Sequence, residues 1–138
     1  MPVRHRNKTF ATLLAALTGG LGLHRFYLRG WGDKWGWLHV SSIPVAALAL
    51  MSGIGQHVLF QAGALVLSVL CGFLEALVLG LMPDDKWDRT FNSTSGKTSA
   101  SAWPLALLLV LTLGLGGTVL IAVIARSFDL ILTGGAFG

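Results

Sequence analysis

Charge is scarce in this chain. Asp, Glu, Lys and Arg make up 12% of its 138 residues, about half the share usual in soluble globular proteins. Hydrophobic residues make up 54%, so polar groups are too few to cover the apolar surface, and lipid must cover it instead. Cysteine is nearly absent too. Cys71 is the single one and lies in an apolar run, which excludes an intrachain disulfide and a cysteine-based metal cluster. Acid is the scarcer sign of charge, with six Asp and Glu against ten Lys and Arg, a formal charge of +4. In a membrane protein that excess points first to orientation and to anionic lipid headgroups. Nucleic acid is not expected as a partner.

What is present is a series of apolar runs. A basic head, residues 1–8, carries Arg4, Arg6 and Lys8. The run 9–23 covers roughly 22 Å as a helix, short of a hydrocarbon core about 30 Å thick. Continued through His24-Arg25-Phe26-Tyr27-Leu28, it becomes a helix of about 9–28 that is long enough to span. Gly19, Gly20 and Gly22 lead into His24 and Arg25 rather than a small-residue cleavage site, so a cleaved signal peptide is not expected. A second span, about 35–51, contains Pro44, which predicts a kink. A tight uncharged turn at 52–57 leads to the third and longest span, 58–82, stopped by Pro83-Asp84-Asp85. Residues 83–102 are polar and rich in Ser and Thr, a surface loop by composition. Trp103-Pro104 opens a fourth helix, expected to end near Ala125, with Arg126 and Asp129 at its far end and a Gly-rich tail to Gly138. The expected fold is all-α, a polytopic helical membrane bundle. Three transmembrane helices are clear, and the short first helix spans or re-enters.

Residues 7–28, NKTFATLLAALTGGLGLHRFYL, resemble the opening of the TM2 (two-transmembrane) domain family: a basic start, a short apolar helix, a Gly-Gly-Leu-Gly break, then His-Arg-Phe-Tyr-Leu. The last block after GGLG is the specific part. Residues 72–77, Gly-Phe-Leu-Glu-Ala-Leu, are similar to the family's acidic residue late in a span, with Glu75 in the place often held by Asp. The chain departs in having Arg29 where a Gly commonly follows, and in its longer C-terminal part. The resemblance implies a TM2-like membrane domain over 9–82 with the HRFYL segment in a cytoplasmic connector. It adds little on biochemical role.

Lys and Arg concentrate in cytoplasmic loops. The turn between the second and third spans has none, whereas Arg25, Arg29 and Lys34 precede the second span and Lys86, Arg89 and Lys97 follow the third. Loop 83–102 is therefore expected in the cytoplasm and the C-terminus outside, in a multi-pass protein of the bacterial inner membrane. A fully spanning first helix would place Arg4, Arg6 and Lys8 outside, against the rule. A re-entrant hairpin broken at Gly19-Gly20 would keep them inside. Charge favours the hairpin; hydropathy and the family likeness favour the span, which is the expectation carried forward.

The candidate polar cluster within the membrane is Glu75, His24, Arg25 and Tyr27. Glu75 lies seven residues before the end of the third span, roughly 10 Å inside, where a carboxylate is costly and must be paired or protonated. It is either a structural partner of Arg25 or His24, or a proton- or cation-handling group. His24 and Arg25 could equally anchor at the interface with Tyr27, or bind a lipid phosphate through the guanidinium. Ala64, Ser68, Gly72, Ala76 and Gly80 recur every fourth residue and form a smooth helix-packing face. That face serves either the chain's own helices or a second copy. Trp31, Trp35, Trp37, Trp87 and Trp103 all fall on the expected cytoplasmic side, as interfacial anchors.

Other motifs fail on their chemistry. Ser95-Gly96-Lys97-Thr98 lacks a phosphate loop's first glycine, since Phe91 stands there. His5, His24, His39 and His57 are spread over both sides of the membrane, so no metal site is expected. His39 with Ser41 and Ser42 has no orienting acid. Asn92-Ser93-Thr94 is a glycosylation pattern in a loop expected to be cytoplasmic. No cofactor and no enzymatic reaction are expected. The leading expectation is a non-enzymatic membrane module that joins itself or another membrane protein. The alternatives are a small oligomeric proton or cation channel or transporter using Glu75 and, last, a membrane-embedded enzyme.

Overall fold

A computed structural model describes residues 5–53 and 55–137. Arg4 of the basic head, Ile54 of the tight turn and Gly138 lie outside the described residues. Every regular element among them is helical.

Helix α1, Lys8–Thr18, starts where the Asn7 side chain caps the Phe10 N–H at 2.9 Å. It stops at a single 3₁₀ turn, Gly19–Leu21, followed by Gly22 in the left-handed region at φ +69°. A side chain at Gly22 would also meet the Gly36 carbonyl at 2.9 Å. Helix α2, Leu23–Arg29, then runs back along α1. The Tyr27 hydroxyl accepts the Asn7 N–H at 3.0 Å, and its ring meets Phe10 edge-on at 5.2 Å. Both ends of the first segment thus lie together. The full span expected over 9–28 is corrected to a hairpin, and α1 is only about 16 Å long, roughly half the thickness of a hydrocarbon core.

Helix α3, Lys34–Met51, is long enough to cross, with Pro44 inside it. Its Lys34, Trp35, His39, Ser41 and Ser42 dilute the apolar share. The third run divides at Ala62 into α4, Val58–Gln61, and α5, Gly63–Leu81. The loop expected after it holds a helix instead: α6, Asp84–Phe91, with Asp84 and Asp85 in its first turn and Arg89 in its last, the charge order a helix dipole favours. Helix α7, Trp103–Thr133, begins with Pro104 in its first turn and ends at Gly134, φ +71°. It runs eight residues past the expected end at Ala125. Among the described residues, only α5 (mean hydropathy 2.4) and α7 (2.6) are long and apolar enough to cross a membrane. The expectation of three clear transmembrane helices is therefore corrected to two, α3 being long enough to cross but too polar to qualify by composition.

The core forms where α1 docks on α5. Ala11 and Ala15 of α1 and Ala76 of α5 are buried together with Leu28, Leu79 and Trp87. A Cβ on Gly72 would lie 2.5 Å from Gly19 Cα and 2.6 Å from its carbonyl carbon, so glycine is required on both sides of that crossing. Small faces let helices gain dispersion contacts where lipid offers no hydrophobic drive. Ser68, Gly72, Ala76 and Gly80 are buried within the chain, and Ala64 is half-buried.

Trp87 is corrected from interfacial anchor to core residue. It is 0% exposed, its indole N–H donates to the Arg6 carbonyl at 3.1 Å, and its ring packs on Phe91. Around it a polar cap closes this end of the bundle. Lys8, itself buried, donates to Asp84 at 2.8 Å, to Ser101 at 3.0 Å and to the Met82 carbonyl. Asp84 accepts the Ser101 N–H at 2.7 Å, and Asp88 the Ser99 N–H at 2.6 Å.

The Lys8 ammonium and the Ser101 hydroxyl hold the Asp84 carboxyl down at about 2, from an ordinary 3.8. A depressed folded-state value means stability that is fully present above about pH 4 and is lost as pH falls towards 2. Acid titration of wild type should therefore show a loss in that window that is reduced in Asp84→Asn. Identical acid profiles would show that the cap contributes nothing.

Candidate functional site

Glu75 lies on α5 about 10 Å from Met82, measured along the helix. The α1–α2 hairpin and α3 bring their polar groups to it at that depth. His24 Nε2 lies 2.5 Å from Oε2, Arg25 Nε donates to the same oxygen at 3.1 Å, and an Arg25 terminal nitrogen donates to Oε1. His39 Nε2 faces Oε2 at 3.5 Å. Arg25 is held in turn by Asp33 at 3.4 Å and stands over the Trp35 ring at 5.9 Å. A carboxylate is tolerable inside lipid only with partners of this kind. A bidentate guanidinium also fixes its orientation.

Hydrogen-bond counting assigns one tautomer. The Ser68 hydroxyl has one proton and gives it to the Gly20 carbonyl at 2.8 Å. His39 Nδ1, 2.7 Å from the Ser68 oxygen, must therefore be the donor there. His39 Nε2 is then bare in the neutral ring and points at a carboxylate oxygen. One further proton between them would convert an opposed pair of acceptors into a hydrogen bond. His24, whose Nε2 faces Glu75, has its Nδ1 buried without a partner.

The sequence-predicted residues divide accordingly. Glu75, His24 and Arg25 meet, whereas Tyr27 points to the other side of α2, towards Asn7 and Phe10. Of the four histidines, His24 and His39 share Glu75, with ring centroids 6.1 Å apart, while His5 bonds Ser95 in the cap and His57 caps α4. His39, Ser68 and Asp33 are site residues that sequence reasoning missed. One signal was available for His39: Gly36, His39, Ser42 and Ala46 recur at helical spacing and form the buried face of α3. Of the tryptophans, Trp31, Trp35, Trp37 and Trp103 are exposed. The Trp37 indole donates to the Trp31 carbonyl at 2.8 Å, and Phe26 stacks on Trp31.

The segment that supplies His24, Arg25, Asp33 and His39 is also the one that matches a known family, since residues 4–54 fit the profile described as TM2 domain. Over those residues the chain is similar to the TM2 domain family. That domain comprises the hairpin, the aromatic connector and α3, and together with α5 and α7 it makes a helical membrane protein. Glu75 and Ser68 fall outside the matched residues, so the site is shared between the TM2 domain and the helix that follows it. A search of the curated proteins and of the solved structures finds no match to the chain.

Proposed function

We propose that this TM2-domain protein is a non-enzymatic integral membrane module that assembles with itself or with another membrane protein. The observation that carries the reading is a contrast between helices. The polar groups of α2, α3 and α5 around Glu75 are bonded to one another, whereas α7 keeps an apolar surface uncovered along most of its 31 residues. Gly114, Thr118 and Ala122 follow at four-residue steps on α7 and are exposed, a surface on which another helix can approach closely. The small-residue face of α5 is used inside the chain, which moves the expected partner contact to α7.

Under the Lys/Arg rule the end that carries the polar cap faces the cytoplasm. With α3, which is long enough, taken as a third crossing, the hairpin keeps every described Lys and Arg except Arg126 on that side, with the C-terminus outside a bacterial inner membrane. Trp31, Trp35, Trp37 and Trp103 serve as headgroup anchors in this arrangement. The test is cross-linking through a thiol at Ala122→Cys in a Cys71→Ser background. A cross-linked homodimer, or capture of one defined membrane protein, supports assembly. A chain that stays monomeric and copurifies with nothing overturns it.

One observation favours a second reading, a small oligomeric proton or cation channel or transporter. His24, Glu75, His39 and Ser68 form an unbroken polar chain with room for one more proton. Flux in proteoliposomes that is lost in Glu75→Gln would establish it, and no flux from folded protein would remove it.

A further inference from the structure

A groove of about 530 Å³ lies between α3 and α5. Its lining runs from Trp35 to Val45 on α3 and from Glu75 to Ala64 on the antiparallel α5. Ten or eleven helical steps amount to about 15–17 Å, close to the depth of one leaflet in a core about 30 Å thick. On α3 the groove begins at Trp35 beside the basic end; on α5 it begins at Glu75, about 10 Å in, and continues about 16 Å further, past the bilayer midplane. Leu38 and Leu67 on its walls are mostly exposed, so it opens sideways, where lipid would lie.

Apart from His39 Nε2, which is turned towards Glu75, the polar groups on its walls are bonded within the chain. Ser41 donates to the Leu38 carbonyl and Ser42 to the His39 carbonyl, each at 2.7 Å. His39 and Ser68 bond each other, and Arg25 bonds Glu75. A polar solute would find little left to bind, whereas a hydrocarbon chain would meet a surface that presents carbon. The mouth differs from the walls. Lys34 is exposed, has no acidic partner among the described residues, and precedes the exposed Trp35. Arg29, the last residue of α2, reaches Asp33 only at 4.0 Å. Neither Lys34 nor Arg29 lines the groove, but Lys34 adjoins Trp35, which does, so unpaired cationic charge lies next to an indole suited to headgroup depth.

We propose that this groove binds one acyl chain of an anionic phospholipid from the basic-end leaflet, with its headgroup on Lys34 and Trp35. The site rests on the membrane orientation given above but not on assembly through α7. Native mass spectrometry of protein purified with phosphatidylglycerol and phosphatidylcholine of identical acyl chains tests it. Wild type should retain the anionic lipid about fivefold over the zwitterionic one, the value of one cation near an anionic surface. Lys34→Gln should bring the two lipids level. Ser41→Trp, entering the groove from an exposed position, should lower bound phosphatidylglycerol without lowering thermal stability. Equal retention of the two lipids by wild type, or undiminished preference in Lys34→Gln, would overturn the proposal, and Lys34→Gln decides alone if Ser41→Trp does not fold. Both positions lie away from α7, so loss of lipid and loss of assembly are read separately.

Discussion

Glu75→Ala is expected to destabilise the protein by about 3–5 kcal/mol, the scale for removing one partner of a buried ion pair. The loss arises from what stays behind. The Arg25 guanidinium would remain inside the apolar layer with only Asp33 at 3.4 Å, and the proton on His24 Nε2 would lose its acceptor. Glu75 and Arg25 are only 22% and 20% exposed, so solvent offers little relief. Glu75→Gln should be milder by about 1–2 kcal/mol, because an amide oxygen still accepts a hydrogen bond from Arg25 or His24. Thermal unfolding of the three proteins in one detergent checks this. Equal melting temperatures for the Ala and Gln variants would show that Glu75 is not holding the hairpin.

Gly72→Val should have an effect as large by a different route. The new Cβ would fall 2.5 Å from Gly19 Cα, a contact with backbone that no rotamer change relieves. The hairpin would have to leave α5, taking the Ser68–Gly20 bond with it. A loss above about 3 kcal/mol, or failure to fold, is expected. Gly117→Ala supplies the contrast, since nothing lies within 4 Å of a Cβ there. That variant should stay within about 0.5 kcal/mol of wild type. Size-exclusion profiles and melting curves in detergent would report both. A well-folded Gly72→Val with wild-type stability would contradict the glycine crossing.

Much of this architecture is legible in the residues alone, for physical reasons that can be named. Hydropathy finds α5 and α7 because their composition leaves them no other environment. The cost of a carboxylate in lipid singles out Glu75, and the basic neighbours of the glycine break supply its partners. What composition cannot show is chain reversal. Residues 9–28 are long enough to cross, and the turn depends on Gly22 taking a left-handed φ against α3. The clue lay in charge, since a spanning first helix would have separated the basic head from the remaining cations. Helix α6 is hidden for a different reason. Its residues are polar, and it is fixed by Asp84 and Asp88 binding residues 99–101, a contact between segments that no local pattern announces. Trp87 follows from that helix: a lone indole beside charges suggests an interface, yet α6 folds it into the core.

The central claim is that the first segment, α1 and α2, enters the membrane as a hairpin closed on Glu75, so its two ends share one side. Sidedness of those ends tests it most directly, with an epitope placed ahead of Met1 and a thiol at Gly32→Cys in a Cys71→Ser background, both probed in sealed vesicles with reagents that cannot cross the bilayer. Gly32 has open space around it, so the thiol should not disturb the connector. The hairpin predicts that epitope and thiol are reached from the same side. Epitope and thiol on opposite sides would mean that residues 9–28 span after all, and the account of Glu75 as the closure of a hairpin would fall with it.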